Sequence, residues 1–227
     1  MKINSLAQAH LTDRQIATYL NRVRDKYRHG DASWYLYREM VWDYGGYSSD
    51  QIERLYAVLM SWGMNSRGAK LVSFERFLAS IKKNRKIIES LSEQRIQKID
   101  SFDNPAVLLP LKHLFKSLAI VPSGKPRFVS FSKTMHFLCP HLIAPMDRKY
   151  TLTFFRKNPA SLPSKPERQF ELFKMIMEDY RVFVAEHKLK GFMDKRWNLS
   201  LPKICDNIII GRSLLRKKCK RPINRNF

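Results

Sequence analysis

Apolar side chains recur at helical spacing through most segments of the chain, and few stretches alternate apolar with polar residues, which confines the fold to packed α-helices. Ile16, Tyr19, Leu20 and Val23 form one such stripe, Ile52, Leu55, Tyr56 and Leu59 a second, and Phe128, Phe131, Met135 and Leu138 a third. Thr12 or Asp13 is placed to cap the first helix, a second covers 34–44 and is stopped by Gly45 and Gly46, and Ser49 is placed to cap the third. Gly63 and Gly68 bracket a turn in SWGMNSRG. Helices are expected near 69–83, 92–99 and 104–118, before IVPSGKPR interrupts the pattern with two prolines and a glycine. The expected fold class is therefore all-α. With 227 residues, 44% of them hydrophobic, the chain can bury a core as one domain or two small helical lobes.

Charge selects the partner. Lys and Arg number 42 against 20 Asp and Glu, a formal +22 that repels itself unless a polyanion compensates. The excess is concentrated: residues 188–227 carry twelve basic and two acidic side chains, and 65–98 carry nine and three, with Lys82, Lys83, Arg85 and Lys86 close together. Residues 1–50 are nearly balanced, at seven against six. Two separate basic patches in a chain of this size fit a nucleic-acid surface better than a solvated tail. A membrane surface is the other polyanion, but there is no run of eighteen apolar residues, and the polar opening MKINSLAQAHLTDRQ is not expected to act as a signal peptide. Cys139, Cys205 and Cys219 are odd in number and not paired in spacing, so a reducing cytoplasm is expected. His136, Cys139 and His141 lack a fourth ligand at a recognised spacing and are interrupted by Pro140, so neither metal nor other cofactor is expected.

The stretch from Phe128 to Thr151 carries the chemistry. With Phe128, Phe131, Met135 and Leu138 facing the core, Ser132, Lys133 and His136 look another way, Pro140 ends the helix, and Asp147 is placed to cap the next one. The link after the helix can span roughly 25 Å, while Lys133 lies only about 9 Å from the helix end. The Lys133 and Asp147 side chains can therefore meet.

A helix bearing a lysine, a proline-containing connection and an aspartate at the next helix N-terminus resembles the catalytic segment of the helix-hairpin-helix DNA glycosylases, in particular their 8-oxoguanine-type and archaeal branches. The resemblance spans about residues 50–155 and implies a two-lobed helical fold with a cleft between the lobes. Residues 45–147 would form one lobe, and 1–44 with 148–227 the other. It implies Lys133 as the nucleophile on the anomeric carbon of a flipped-out nucleotide and Asp147 as the stabiliser of positive charge on the sugar. MSWGMNSRGAKL, residues 60–71, is similar to the Ser- and Asn-rich helix junction that fills the hole left by the flipped base. This puts Trp62, Asn65, Arg67 and His136 among the substrate-binding residues. Where the family's hairpin has two glycines, this chain has Val129 and Phe131, so the turn at Gly124 is the alternative phosphate-facing loop. Lys125, Arg127, Ser132, Arg148, Lys149, Arg212, Arg216 and Lys217 are the expected DNA contacts.

The expected activity is excision of a damaged or modified base from double-stranded DNA by a monomer, with or without cleavage at the abasic site. Two alternatives stand beside it. One is a non-catalytic basic protein binding DNA or RNA through its helices and tail. The other is a phage-defence protein recognising modified phage DNA or another partner.

Overall fold

A computed structural model describes residues 3–27, 32–43, 46–65, 70–158, 160, 162–194 and 196–218, with backbone alone at 32, 33, 41–43, 217 and 218. Among the described residues there are ten α-helices and no strands: α1 (Asp13–Lys26), α2 (Ala32–Asp43), α3 (Ser49–Leu59), α4 (Phe74–Lys83), α5 (Arg85–Ser92), α6 (Pro105–Ser117), α7 (Phe128–Leu138), α8 (Thr153–Arg156), α9 (Pro166–Glu186) and α10 (Leu201–Lys218). No helix among those residues is long and apolar enough to cross a membrane.

Local chemistry sets the helix starts. Thr12 caps α1 through a reciprocal box: its hydroxyl accepts from the Gln15 amide, and the Gln15 side chain accepts from the Thr12 amide. For α3 the cap is Ser48, one residue earlier than expected, because Gln51 stands three positions beyond Ser48 and closes the same box. Asn104 caps α6, with Pro105 at the first position, where a missing amide proton costs nothing.

Two expected helices are corrected. Residues 70–73, before α4, are not helical, since Leu71 donates to the Met64 carbonyl and Val72 to that of Ile120. The helix expected at 92–99 is instead α5 at Arg85–Ser92, supported by an Arg85–Glu89 pair one turn apart, while the Ile96 amide is drawn to the His141 carbonyl. The break between α4 and α5 falls at Asn84, whose buried side chain donates to the Ser80 carbonyl and accepts from the Ser117 hydroxyl. The four cations there thus belong to two helices.

One buried apolar cluster runs from Leu6 to Ile210. α1 packs closely on α10, where the only side chain that fits at position 211 is hydrogen: a Cβ on Gly211 would sit 2.1 Å from the Tyr19 carbonyl oxygen. α7 packs between α3 and α9. Phe128, Phe131, Met135 and Leu138 are buried as their spacing requires, but so are Ser130, Ser132, Thr134 and His136. The helix is enclosed on nearly every side, and its polar side chains other than Lys133 are buried inside the protein.

Candidate functional site

The polar residues of α7 hold the chain that returns past it. Ser132 Oγ accepts from the Met146 amide at 3.1 Å and donates to the Val129 carbonyl, and His136 Nδ1 meets the Ile143 carbonyl at 2.6 Å. These two ties, one helical turn apart, fix the segment 143–146 against α7, so that Lys133 and Asp147, each one residue beyond a tie, open onto the same space. Burial lowers the His136 pKa to about 3, so the ring is neutral. With Nδ1–H donated to Ile143, Nε2 accepts from the Tyr37 hydroxyl at 2.9 Å. Ser132 and His136, expected at DNA and substrate, are fully buried and engaged in this framework instead.

That space is a cavity of about 650 Å³ lined by Lys133 and Asp147 together with Tyr27, Trp34, Ser61, Trp62, Pro145, Met146, Lys149, Tyr150, Lys203, Asp206 and Ile210. Asp147 caps a π-helical turn over Arg148–Leu152. Its Oδ1 accepts from the Tyr150 amide at 2.6 Å and the Thr151 amide at 3.3 Å, and its own amide donates to the Thr151 hydroxyl. Both capping bonds use Oδ1, so Oδ2 takes no part in the cap.

Lys133 is partly buried. The chain leaves helical geometry at Trp62 and at Gly63, whose φ is 80°, and the Trp62 carbonyl receives the Lys133 ammonium at 2.8 Å. The same ammonium lies 5.5 Å from the centre of the Trp62 ring. Among the described residues no carboxylate oxygen is within 4.0 Å of it. Burial lowers the Lys133 pKa, while the Asp147 and Asp206 charges oppose that fall and Lys203 adds to it.

The far wall is built by α10 and α2. Lys203 and Asp206, both nearly inaccessible to solvent, form an ion pair at 2.5 Å. The Lys203 ammonium lies 4.8 Å from the ring centre of Trp34, 5.6 Å from Tyr37 and 5.8 Å from Trp62. Asp206 lies inside α10, away from the start of that helix. Neither member of the pair was selected as a site residue from sequence. The signal available was a Lys and an Asp three positions apart inside an apolar helix, where charges must pair to be buried. Trp34 and Tyr27 carried no comparable signal, because each resembles ordinary core at helical spacing.

The remaining expected residues are dispersed. Trp62 is on the cavity wall, whereas Asn65 is exposed and not among the lining residues, and Arg67 lies outside the described residues. Arg148 and Lys149 are exposed beside Asp147, and Lys149 reaches the cavity. Lys125 is exposed on the loop at Gly124, where φ is 78°. Arg127 is committed inward, donating to the Leu118 carbonyl and resting over the Phe115 ring. Arg216 is exposed, Arg212 covers the Phe154 ring, and the Lys217 side chain lies outside the described part. Like Lys203, Lys26 was not anticipated; its ammonium is 3.4 Å from the Tyr150 hydroxyl.

Comparisons with protein-family models, with curated proteins and with solved structures gave no match to this chain.

Proposed function

We propose that this protein is a DNA glycosylase that removes a damaged or modified base, with Lys133 as nucleophile and Asp147 as charge stabiliser. The observation that carries the reading is a partly buried lysine without a carboxylate in contact, facing the same aromatic-walled cavity as an aspartate fixed at a turn N-terminus.

The chemistry follows from those positions. A lysine attacks only as the free amine, and burial moves the Lys133 pKa in the direction that supplies it. The amine lone pair bonds to C1′ of the extruded nucleotide as the glycosidic C–N bond breaks. The base leaves with the electron pair of the broken C–N bond and is protonated. Positive charge builds on the sugar at this moment, and a carboxylate held in advance by two backbone amides stabilises it without reorganising. Opening of the sugar ring converts the adduct into an iminium ion that borohydride reduces to a stable secondary amine.

Extruding a nucleotide costs a few kcal/mol, offset by stacking in the pocket and by phosphate contacts. Trp34, Trp62 and Tyr27 offer ring surface in the cavity, Lys149 reaches it, Arg148 adjoins Lys149 in the chain, and Lys26 meets the hydroxyl of the lining residue Tyr150. In this reading the cavity is the seam between a lobe formed by residues 45–147 and one formed by 1–44 and 148–227, and the monomer acts in the cytoplasm without a cofactor.

A panel of duplexes, each carrying one modified base, tests the proposal by base release and by borohydride trapping. One duplex is expected to release its base and give an adduct, and Lys133→Gln to bind that duplex without forming the adduct. Full activity in Lys133→Gln refutes the assignment. DNA binding with no release and no adduct across the panel leaves a non-catalytic nucleic-acid-binding protein.

A further inference from the structure

The cavity wall carries three lysines, Lys133, Lys149 and Lys203, and two aspartates, and the ion pairing among them is unequal. Lys203 and Asp206 are in contact on α10, whereas Lys133 is held by the Trp62 carbonyl. We propose that Lys203 is a positioning residue for the reaction assigned above: by occupying Asp206, it withholds from Lys133 the carboxylate that would otherwise bind it, and leaves the Lys133 amine free to attack.

Three observations carry this. Lys133 and Lys203 face one cavity and both ammonium groups lie within 6 Å of the same indole ring, at 5.5 Å and 5.8 Å from the centre of Trp62. Lys203 has no freedom to leave, since it is buried at 2% exposure and enclosed by the rings of Trp34, Tyr37 and Trp62 as well as by its carboxylate. Asp206 is buried at 5% exposure, and a carboxylate so placed must have a cationic partner or take up a proton. Burial raises its pKa and Lys203 holds it down.

Without Lys203, the cations nearest at hand for Asp206 would be those of the cavity, and Lys133 is one of them. The titratable groups facing Lys133 are Asp147, Lys149 and Tyr150 beside the return segment, Asp206 and Lys203 on α10, and Tyr27 at the end of α1. His136, on its own helix, is neutral. Of the two carboxylates, Asp147 is tied to backbone amides and Asp206 to Lys203, so the Lys203 side chain keeps the second from the nucleophile. A merely structural ion pair would stabilise the fold without governing the reactivity of a lysine on another helix.

The test needs no DNA, so it succeeds or fails separately from the glycosylase reading. The full chain is labelled with trace acetic anhydride from neutral to alkaline pH, and the Lys133 peptide is quantified by mass spectrometry against the exposed Lys125. Lys203→Gln is expected to raise the Lys133 labelling midpoint by about one unit or more, which means about tenfold slower labelling below the midpoint. Lys203→Arg keeps the charge and is expected to preserve the wild-type midpoint. The double variant Lys203→Gln/Asp206→Asn, with no charge left to redirect, returns it toward wild type. A Lys203→Gln midpoint equal to wild type, or a double variant that labels as slowly as Lys203→Gln, overturns the proposal. Breaking a buried pair strands a charge, so Asp206→Asn alone supplies an arm independent of that variant's folding. Its Lys133 midpoint is expected to fall, and a rise overturns the proposal.

Discussion

His136 makes the folded protein sensitive to acid in a window that can be stated in advance. The ring is fully buried between the Tyr37 hydroxyl and the Ile143 carbonyl, and burial lowers its pKa from 6.5 to about 3. Above pH 6.5 the ring is neutral whether the chain is folded or unfolded, and its contribution is fully present. Below that value the unfolded chain takes up a proton that the folded protein refuses, so stability falls with pH until the folded ring itself titrates near 3. At about pH 4.5, two units into that window, the loss is about 3 kcal/mol, from about 1.4 kcal/mol per unit. His136→Asn places an amide nitrogen where Nδ1 stood and cannot take the proton. The assay is urea unfolding of both proteins at neutral pH and at about pH 4.5. His141, whose pKa is also lowered by burial and by Arg95, is common to both and cancels. The variant is expected to be the weaker at neutral pH and to lose about 3 kcal/mol less on acidification. An equal loss in the two proteins would refute the assignment of a neutral, buried His136.

Three further outcomes follow from particular side chains. Ser132→Ala leaves the Met146 amide buried without its acceptor. It should cost about 1–3 kcal/mol in urea unfolding and slow adduct formation more than it weakens DNA binding, since the return segment bearing Asp147 is loosened. Gly211→Ala sets a methyl 2.1 Å from the Tyr19 carbonyl oxygen, and because the clash is with backbone, α1 and α10 must part. The cost should be about 1–3 kcal/mol, read as a fall of several degrees in Tm, and an unchanged Tm would contradict this packing. Arg148→Ala with Lys149→Ala should weaken DNA binding evenly across sequences and reduce the slope of log affinity against log salt by about one for each phosphate that is no longer neutralised.

The sequence made legible the features written into neighbouring residues. Thr12 was one of the two residues expected to cap α1, Asn104–Pro105 fell at the expected edge of α6, and Pro140 followed the end of α7 closely. Asp147 was legible as a cap because capping is a local bargain between one side chain and the amides three and four residues on. Ser132 and His136 were misread because helical spacing locates the face that is apolar, and says nothing of whether the opposite face is also enclosed. Here 143–146 and Tyr37 cover it, and both coverings are tertiary. Lys203 and Asp206 escaped for the same reason: on the chain they are 70 and 59 residues from Lys133 and Asp147, and only the packing of α10 brings them to one cavity.

In the proposed reaction the Lys133 amine forms the bond to C1′. A duplex containing an abasic site presents that carbon as an aldehyde without requiring the right base to be known. The protein and duplex are reduced together with borohydride, digested, and the modified peptide is sequenced by mass spectrometry. The expected adduct is on Lys133, and Lys133→Gln abolishes it. An adduct carried by Lys149 or Lys203 instead, or one that survives Lys133→Gln undiminished, would contradict the assignment.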